Sequence, residues 1–205
     1  MKTIVLPINS PETVTQAAGI LQSGGLVAFP TDTVYGLGAC AFNAKAVEGI
    51  YTTKGRPVEK AIPVLVAGVE DLQKIAVDIP EMALTLAAAF WPGALTLVIP
   101  KHPTLPSVVS AGTTVGVRVP ALAFTRQLLE AAGPLAVTSA NRSDQPNPLD
   151  AGHVLEQLGG RLPLILDGGP TAGGIPSTVV DCTGLEPKLL RAGPVTLDEI
   201  LSVLK

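Results

Sequence analysis

Nine short apolar runs, each closed by glycine, proline or polar turn residues, constrain this chain more than any other feature of its sequence. They predict strands at Thr3 to Leu6, Leu26 to Phe29, Ile62 to Val66, Leu95 to Ile99, Val115 to Val119, Leu135 to Thr138, Leu164 to Leu166, Thr178 to Asp181 and Lys188 to Leu190. Amphipathic stretches fill most of the gaps and predict helices. Ser10 and Pro11 supply an N-cap and a first-turn proline for a helix running to about Gln22, where Gly24-Gly25 stops it. Asn43 caps a second helix through Tyr51, and Thr196 with Glu199 forms a capping box for the last one. Strands outnumber what a simple β-α-β repeat needs. The expected fold is therefore an α/β or α+β arrangement with a mixed sheet, rather than a doubly wound parallel one.

Met82 to Pro100 is an uncharged, mainly apolar stretch that approaches the length that spans a bilayer. Pro92-Gly93 divides it into a buried helix, Met82 to Phe90, and a buried strand, Leu95 to Ile99. The apolar run after Met1 is too short for a signal peptide. These readings predict a cytoplasmic protein with no membrane partner. With 205 residues, 47% of them apolar, the chain suffices for one core, and a single domain over 1–205 is expected. Lys and Arg number 14 against 17 Asp and Glu, so any nucleic-acid contact is expected to be local. Cys40 and Cys182 have no metal-ligand spacing and read as ordinary thiols. His102 and His153 lack the motifs of a hydrolase or metalloenzyme and read as surface or capping residues.

Several loops carry polar groups in suggestive places. No Walker-type GxxxxGK[ST] is present. Gly36, Gly38 and Ala41 match a loose GxGxxA dinucleotide pattern, but the segment Pro30 to Tyr35 pushes these glycines away from the strand end where that turn belongs. The plain alternative is a tight loop with positive φ angles. Lys54 and Arg56, read as alternate positions of an extended segment, point to one side and converge on a polyphosphate, with Lys60 nearby; a solvated basic turn fits these residues equally. Thr138-Ser139-Ala140-Asn141 leaves the end of an apolar strand, where α/β sheets bind ligands, or caps that strand. Arg118 shares a strand face with Gly116 and needs either an anionic ligand or an internal Asp or Glu partner. The glycine-rich segment Asp167 to Thr178 is a flap or a plain connection. Arg191 ends the strand that follows.

In this order and spacing, PTDTVYGLG (Pro30 to Gly38), KGRP (Lys54 to Pro57), WPGALT (Trp91 to Thr96), VGVRVP (Val115 to Pro120), TSAN (Thr138 to Asn141), DGG (Asp167 to Gly169), ST (Ser177, Thr178) and LLRAGP (Leu189 to Pro194) resemble the YrdC-like threonylcarbamoyl-AMP synthases. The resemblance implies a twisted open mixed β-sheet flanked by helices around a concave basic cavity. It implies synthesis of L-threonylcarbamoyladenylate and pyrophosphate from L-threonine, bicarbonate or CO2, and ATP with Mg2+, without a protein-bound metal. A downstream tRNA threonylcarbamoyltransferase complex would use the product. By that similarity Thr33, Arg118, Ser139 and Ser177 hold threonine. Lys54, Arg56, Lys60, Thr114, Asn141 and Arg191 hold ATP, with Lys54 and Arg56 stabilising charge during transfer. Longer members carry a histidine where this chain has Leu65, and a C-terminal extension, so the resemblance is to the compact form. The alternatives are a double-stranded RNA or tRNA binding module, or a diverged paralogue without the threonine reaction.

Overall fold

The computed structural model describes residues 2–10 and 12–205. Ten strands form one mixed sheet: β1 (Ile4–Pro7), β2 (Val27–Phe29), β3 (Gly36–Cys40), β4 (Val64–Leu65), β5 (Leu95–Pro100), β6 (Thr114–Arg118), β7 (Leu135–Ser139), β8 (Leu164–Asp167), β9 (Thr178–Asp181) and β10 (Lys188–Arg191). Their spatial order is β1-β8-β2-β3-β7-β4-β6-β5-β9-β10. Four pairings are parallel, β1/β8, β2/β8, β4/β6 and β5/β9, and the other five are antiparallel. Among the described residues seven α-helices accompany the sheet: α1 (Thr13–Gln22), α2 (Ala44–Lys54), α3 (Leu72–Ile75), α4 (Glu81–Phe90), α5 (Ala123–Ala132), α6 (Ala151–Leu158) and α7 (Leu197–Val203).

Strand alternation sorts the buried side chains onto two faces. On one, Leu37 and Ala39 of β3, Leu95, Leu97 and Ile99 of β5, Val115 and Val117 of β6 and Val180 of β9 pack beneath α2, α3, α4, α6 and α7. On the other, Val27 and Phe29 of β2, Leu135 and Val137 of β7 and Leu164 and Leu166 of β8 pack beneath α1 and α5. Those two helices reach only as far as β4, whose Leu65 joins their cluster. Beyond it the same face of β6, β5, β9 and β10 has no helix in that cluster, and a cavity opens there. Among the described residues no helix is long and apolar enough to cross a membrane.

Asn43 caps α2 as its sequence predicts, accepting the Ala46 N–H at 3.1 Å, and the Thr196–Glu199 capping box is formed in both directions. The start of α1 differs from expectation: Glu12, without a side-chain hydrogen bond, is the N-cap in place of Ser10, and Pro11 lies outside the described residues. Only Val64–Leu65 of the stretch expected from Ile62 to Val66 is regular strand. Pro63 has no N–H to give a ladder, although Ile62 and Val66 still donate to Val109 and Arg118 carbonyls and the Pro63 carbonyl accepts from Val137.

The largest difference concerns Gly36 and Gly38, which are the first and third residues of β3 and not a positive-φ loop. Neither a dinucleotide turn nor a tight loop describes them; they let aromatic and aliphatic side chains approach the sheet. A Cβ on Gly38 would stand 2.8 Å from Phe29 Cε1, and one on Gly36 would stand 2.6 Å from Val137 Cγ1. Phe29 is fully buried and has no room to withdraw. Gly38→Ala is therefore expected to cost about 1–3 kcal/mol through overpacking. A urea titration with an unchanged slope and a lower midpoint would show it; an unaltered midpoint would contradict the packing argument.

Candidate active site

The open half of the sheet face encloses a cavity of about 330 Å3, within the range of small-molecule sites. Alternation decides what each strand shows it: Thr96 and Val98 from β5, Gly116 and Arg118 from β6, Val179 from β9, with Leu65 and Val137 at the edge nearest α5. Three arginines, Arg56, Arg118 and Arg191, reach its wall. Hydroxyls of Thr31, Thr33, Thr138, Ser139 and Ser177 complete the polar lining.

Arg118 is nearly completely buried and held from three directions. Its Nε donates to the Gly93 carbonyl at 2.8 Å and its Nη1 to Thr33 Oγ1 at 3.0 Å. Nη2 lies 2.7 Å from Asp32 Oδ1, an ion-pair contact, yet it has no aligned hydrogen bond among the described residues. Burial pulls this guanidinium's pKa down and the Asp32 carboxylate opposes that pull, so the group stays charged. Of the sequence alternatives for Arg118, the internal acidic partner is present, and the residue also faces the cavity. Asp32, which sequence reasoning did not single out, also accepts the Ala121 N–H at 3.0 Å and so ties the Pro30–Tyr35 segment to the end of β6. A carboxylate between the Thr31 and Thr33 hydroxyls is the sequence signal that was passed over.

Arg191 enters the cavity through an irregularity. Leu189 pairs with Val180, on the helix-covered face, while Arg191 pairs with Val179, on the cavity face, so Leu190 is an extra residue in β10. Plain alternation would place Arg191 on the same side as Leu189; the bulge turns it to the other. Its Nε and Nη2 then donate to the Ser177 carbonyl at 3.0 and 2.8 Å, and Nη2 also to Ser177 Oγ at 3.1 Å. Burial, then the nearby Arg118 and Arg56 charges, lower its pKa, which places the three cations within each other's field.

Lys54 corrects the sequence expectation. It is the last residue of α2, followed by Gly55 in the left-handed conformation (φ 62°), not part of an extended segment in which Lys54 and Arg56 alternate. Its side chain is 3% exposed and its Nζ donates to the carbonyls of Ser139 and Asn141 and, at 3.3 Å, to Asn141 Oδ1. Burial, then Arg56, pushes its pKa down to about 7, while these oxygen acceptors favour the ammonium form. Lys54 is absent from the cavity wall and fastens the loop that carries Ser139. Asn141 is similarly engaged: Oδ1 accepts from Ser139 Oγ at 2.5 Å and Nδ2 donates to the Gln145 carbonyl at 2.6 Å. Arg56 does line the cavity, braced by the Lys60 and Ala61 carbonyls at 3.2 and 3.1 Å.

Of the predicted site residues, Thr33, Arg56, Arg118, Ser139, Ser177 and Arg191 converge on the cavity, whereas Lys54, Lys60, Thr114 and Asn141 are not in its wall. Lys60 is exposed, 3.9 Å from Asp144, and Thr114 opens β6 opposite Pro100. The glycine-rich segment is fastened rather than free: Gly174 N–H donates to the Thr33 carbonyl at 2.9 Å, and Tyr35 Oη donates to the Gly169 carbonyl at 2.7 Å. His153 contacts Asp150, the N-cap of α6, at 3.0 Å on an exposed face, and His102 contacts Thr104 at 2.6 Å, in keeping with the reading as surface or capping residues. Burial pushes the Cys182 thiol up to about 12, leaving it protonated and inert.

Lys54→Ala is expected to lower stability by about 2–3 kcal/mol, because a buried and a part-buried carbonyl lose a charged donor. It should also reduce any activity that depends on Ser139. Denaturant unfolding beside activity measurements checks both; normal stability with lost activity would return Lys54 to the role of a direct ligand.

Comparison with known proteins bears on this arrangement. The Sua5/YciO/YrdC family profile, described as telomere recombination, matches residues 19–193. Proteins named threonylcarbamoyl-AMP synthase from Pyrococcus abyssi and Bacillus subtilis are 47% and 44% identical over 92% and 97% of this chain. The chain spans only 56% and 58% of those relatives' own length. A crystal structure of P. abyssi Sua5 complexed with L-threonine superposes with a TM-score of 0.95 at 44% identity, covering 98% of this chain and 61% of that one. The matched region contains every strand of the cavity wall from β2 to β10, and the chain belongs to the Sua5/YciO/YrdC family.

Proposed function

We propose that this chain synthesises L-threonylcarbamoyladenylate and pyrophosphate from L-threonine, bicarbonate or CO2, and ATP. The observation that carries the reading is the Arg118 guanidinium, buried at the cavity wall and bonded to the Thr33 hydroxyl, with Ser139, Ser177, Arg56 and Arg191 in the same wall. A relative sharing the fold at a TM-score of 0.95 was crystallised with L-threonine, and the curated relatives are named for the proposed product.

In this reading Arg118 pairs with the threonine carboxylate, and the hydroxyl groups orient the ammonium end and side chain. The threonine amine, once deprotonated, adds to CO2. A carbamate oxygen then attacks the α-phosphorus of ATP, the P–O bond to the β-phosphate breaks, and pyrophosphate leaves. No covalent enzyme intermediate is required. The protein's task is alignment and charge stabilisation, for which Arg56 and Arg191 supply fixed guanidinium groups. Mg2+ would arrive with the ATP as part of that substrate, and the wall offers cations and hydroxyls that suit a triphosphate.

Lys60, exposed and joined to Asp144 only by a weak surface contact, is free to reach the nucleotide. Thr114 remains a candidate for the same end of the site, and Lys54 and Asn141 serve by bracing Ser139. The product would pass, in the cytoplasm, to a complex that transfers the threonylcarbamoyl group to tRNA. Contact of this chain with tRNA or other double-stranded RNA would be a separate property, read from salt-dependent binding.

Pyrophosphate release is expected only when L-threonine, bicarbonate and ATP are all present, with L-serine much poorer. Arg56→Ala should lower turnover by about two to three orders of magnitude, as for a lost transition-state donor. Arg118→Ala should act chiefly on the threonine KM. Release that ignores threonine, or none from folded protein that binds ATP, would defeat the reading.

A further inference from the structure

Ser177 and Arg191 are assigned above to different substrates, yet they are physically one unit. Three of the guanidinium contacts of Arg191 end on Ser177, two on its carbonyl and one on its hydroxyl. Nη1 has no protein partner among the described residues. The Ser177 hydroxyl is in turn 2.8 Å from Thr96 Oγ1, on the parallel neighbour β5. Thr96 is 2% exposed and Ser177 5%, so neither exchanges these bonds readily for water. The Thr96 methyl lies over Gly116, where an added Cβ would stand 3.1 Å from its Cγ2. A hydroxyl donates only one hydrogen, so the bond from Arg191 and the bond to Thr96 together define how the Ser177 oxygen faces the cavity.

We propose that Thr96 is a positioning residue that locks Ser177 and Arg191 together, so that nucleotide bound at Arg191 and amino acid bound at Ser177 strengthen each other's binding. This rests on the assignment of threonine to Ser177 and of ATP to Arg191. A triphosphate on the free edge of Arg191 orders the guanidinium, which holds the Ser177 hydroxyl in the orientation the amino acid requires. By linkage the effect is reciprocal: threonine tightens nucleotide by the same factor. Thr96 touches neither substrate in this account; it removes the alternative rotamers of Ser177 that would uncouple them.

The test is calorimetric titration of L-threonine into the protein with and without a non-hydrolysable ATP analogue, repeated for Thr96→Val and Thr96→Ser. The unaltered protein should bind threonine about 5–10-fold more tightly with the analogue present, a coupling typical of linked sites. Thr96→Val should bring that ratio close to one, and Thr96→Ser should restore it, which loss of general stability would not do. If Thr96→Val does not fold, Gly116→Ala serves instead, because it displaces the Thr96 methyl without removing the hydroxyl, and should weaken the coupling. Coupling that survives in Thr96→Val, or that is absent from unaltered protein binding both ligands, overturns the inference alone. Unaltered protein that binds no threonine and releases no pyrophosphate overturns the functional reading, and the inference with it.

Discussion

A ten-stranded sheet has two faces to cover, and this chain places five helices on one of them and two on the other. The site follows from that imbalance. Helices α1 and α5 cover one face from β8 to β4, where Val27, Phe29, Leu135, Val137, Leu164 and Leu166 present a continuous apolar surface. On the same face of β5, β6 and β9, alternation presents Thr96, Gly116, Arg118 and Val179. That surface is too polar and, at Gly116, too shallow to seat a helix, so it remains open as a cavity. The opposite face of the same strands is aliphatic and fully packed, which gives the cavity a rigid floor.

The polar groups on that floor are pre-set by the protein's own contacts. Arg118 could not be buried on an apolar strand without Asp32, Thr33 and the Gly93 carbonyl. Each contact also fixes the orientation of the guanidinium, so the cost of immobilising it has been met before a ligand arrives. Lys54 does the same for the Ser139–Asn141 loop, although its own charge is spent on carbonyl oxygens and does not face the cavity. Some of the cations that give the sequence its phosphate-binding character therefore act as internal struts, and others face the space where a ligand would lie.

Much of this was legible in the residue string. The capping residues Asn43, Thr196 and Glu199 act locally, through hydrogen bonds spanning three residues, and the structure matches them. The apolar runs likewise fall within a residue or two of the observed strands, except where Pro63 removes a donor. The grouping of Thr33, Ser139, Ser177 and Arg118 came from the family resemblance; Ser139 and Ser177 stand at strand ends and Arg118 on a strand face, whereas Thr33 lies in the loop between β2 and β3. Gly36 and Gly38 could not be read in that way. Glycine in a sequence reports freedom of φ as readily as closeness of approach, and only the position of Phe29 and Val137 shows which is in use.

The sequence by itself determined the periodic elements, the residue types able to bind a charged, hydroxylated ligand, and the family to which the order of motifs belongs. Local patterns fix the elements because period-two alternation and helix capping depend on neighbours a few residues apart, while the family rests on the resemblance of the ordered motifs. Tertiary structure alone decided that Lys54 closes a helix and is buried against the Ser139 loop, that Asp32 is the partner of Arg118, and that a bulge at Leu190 turns Arg191 into the cavity. Each of these outcomes depends on strands brought together from distant parts of the chain, and on which of two faces a side chain meets. A one-residue shift in pairing reverses that choice, and no local pattern records it.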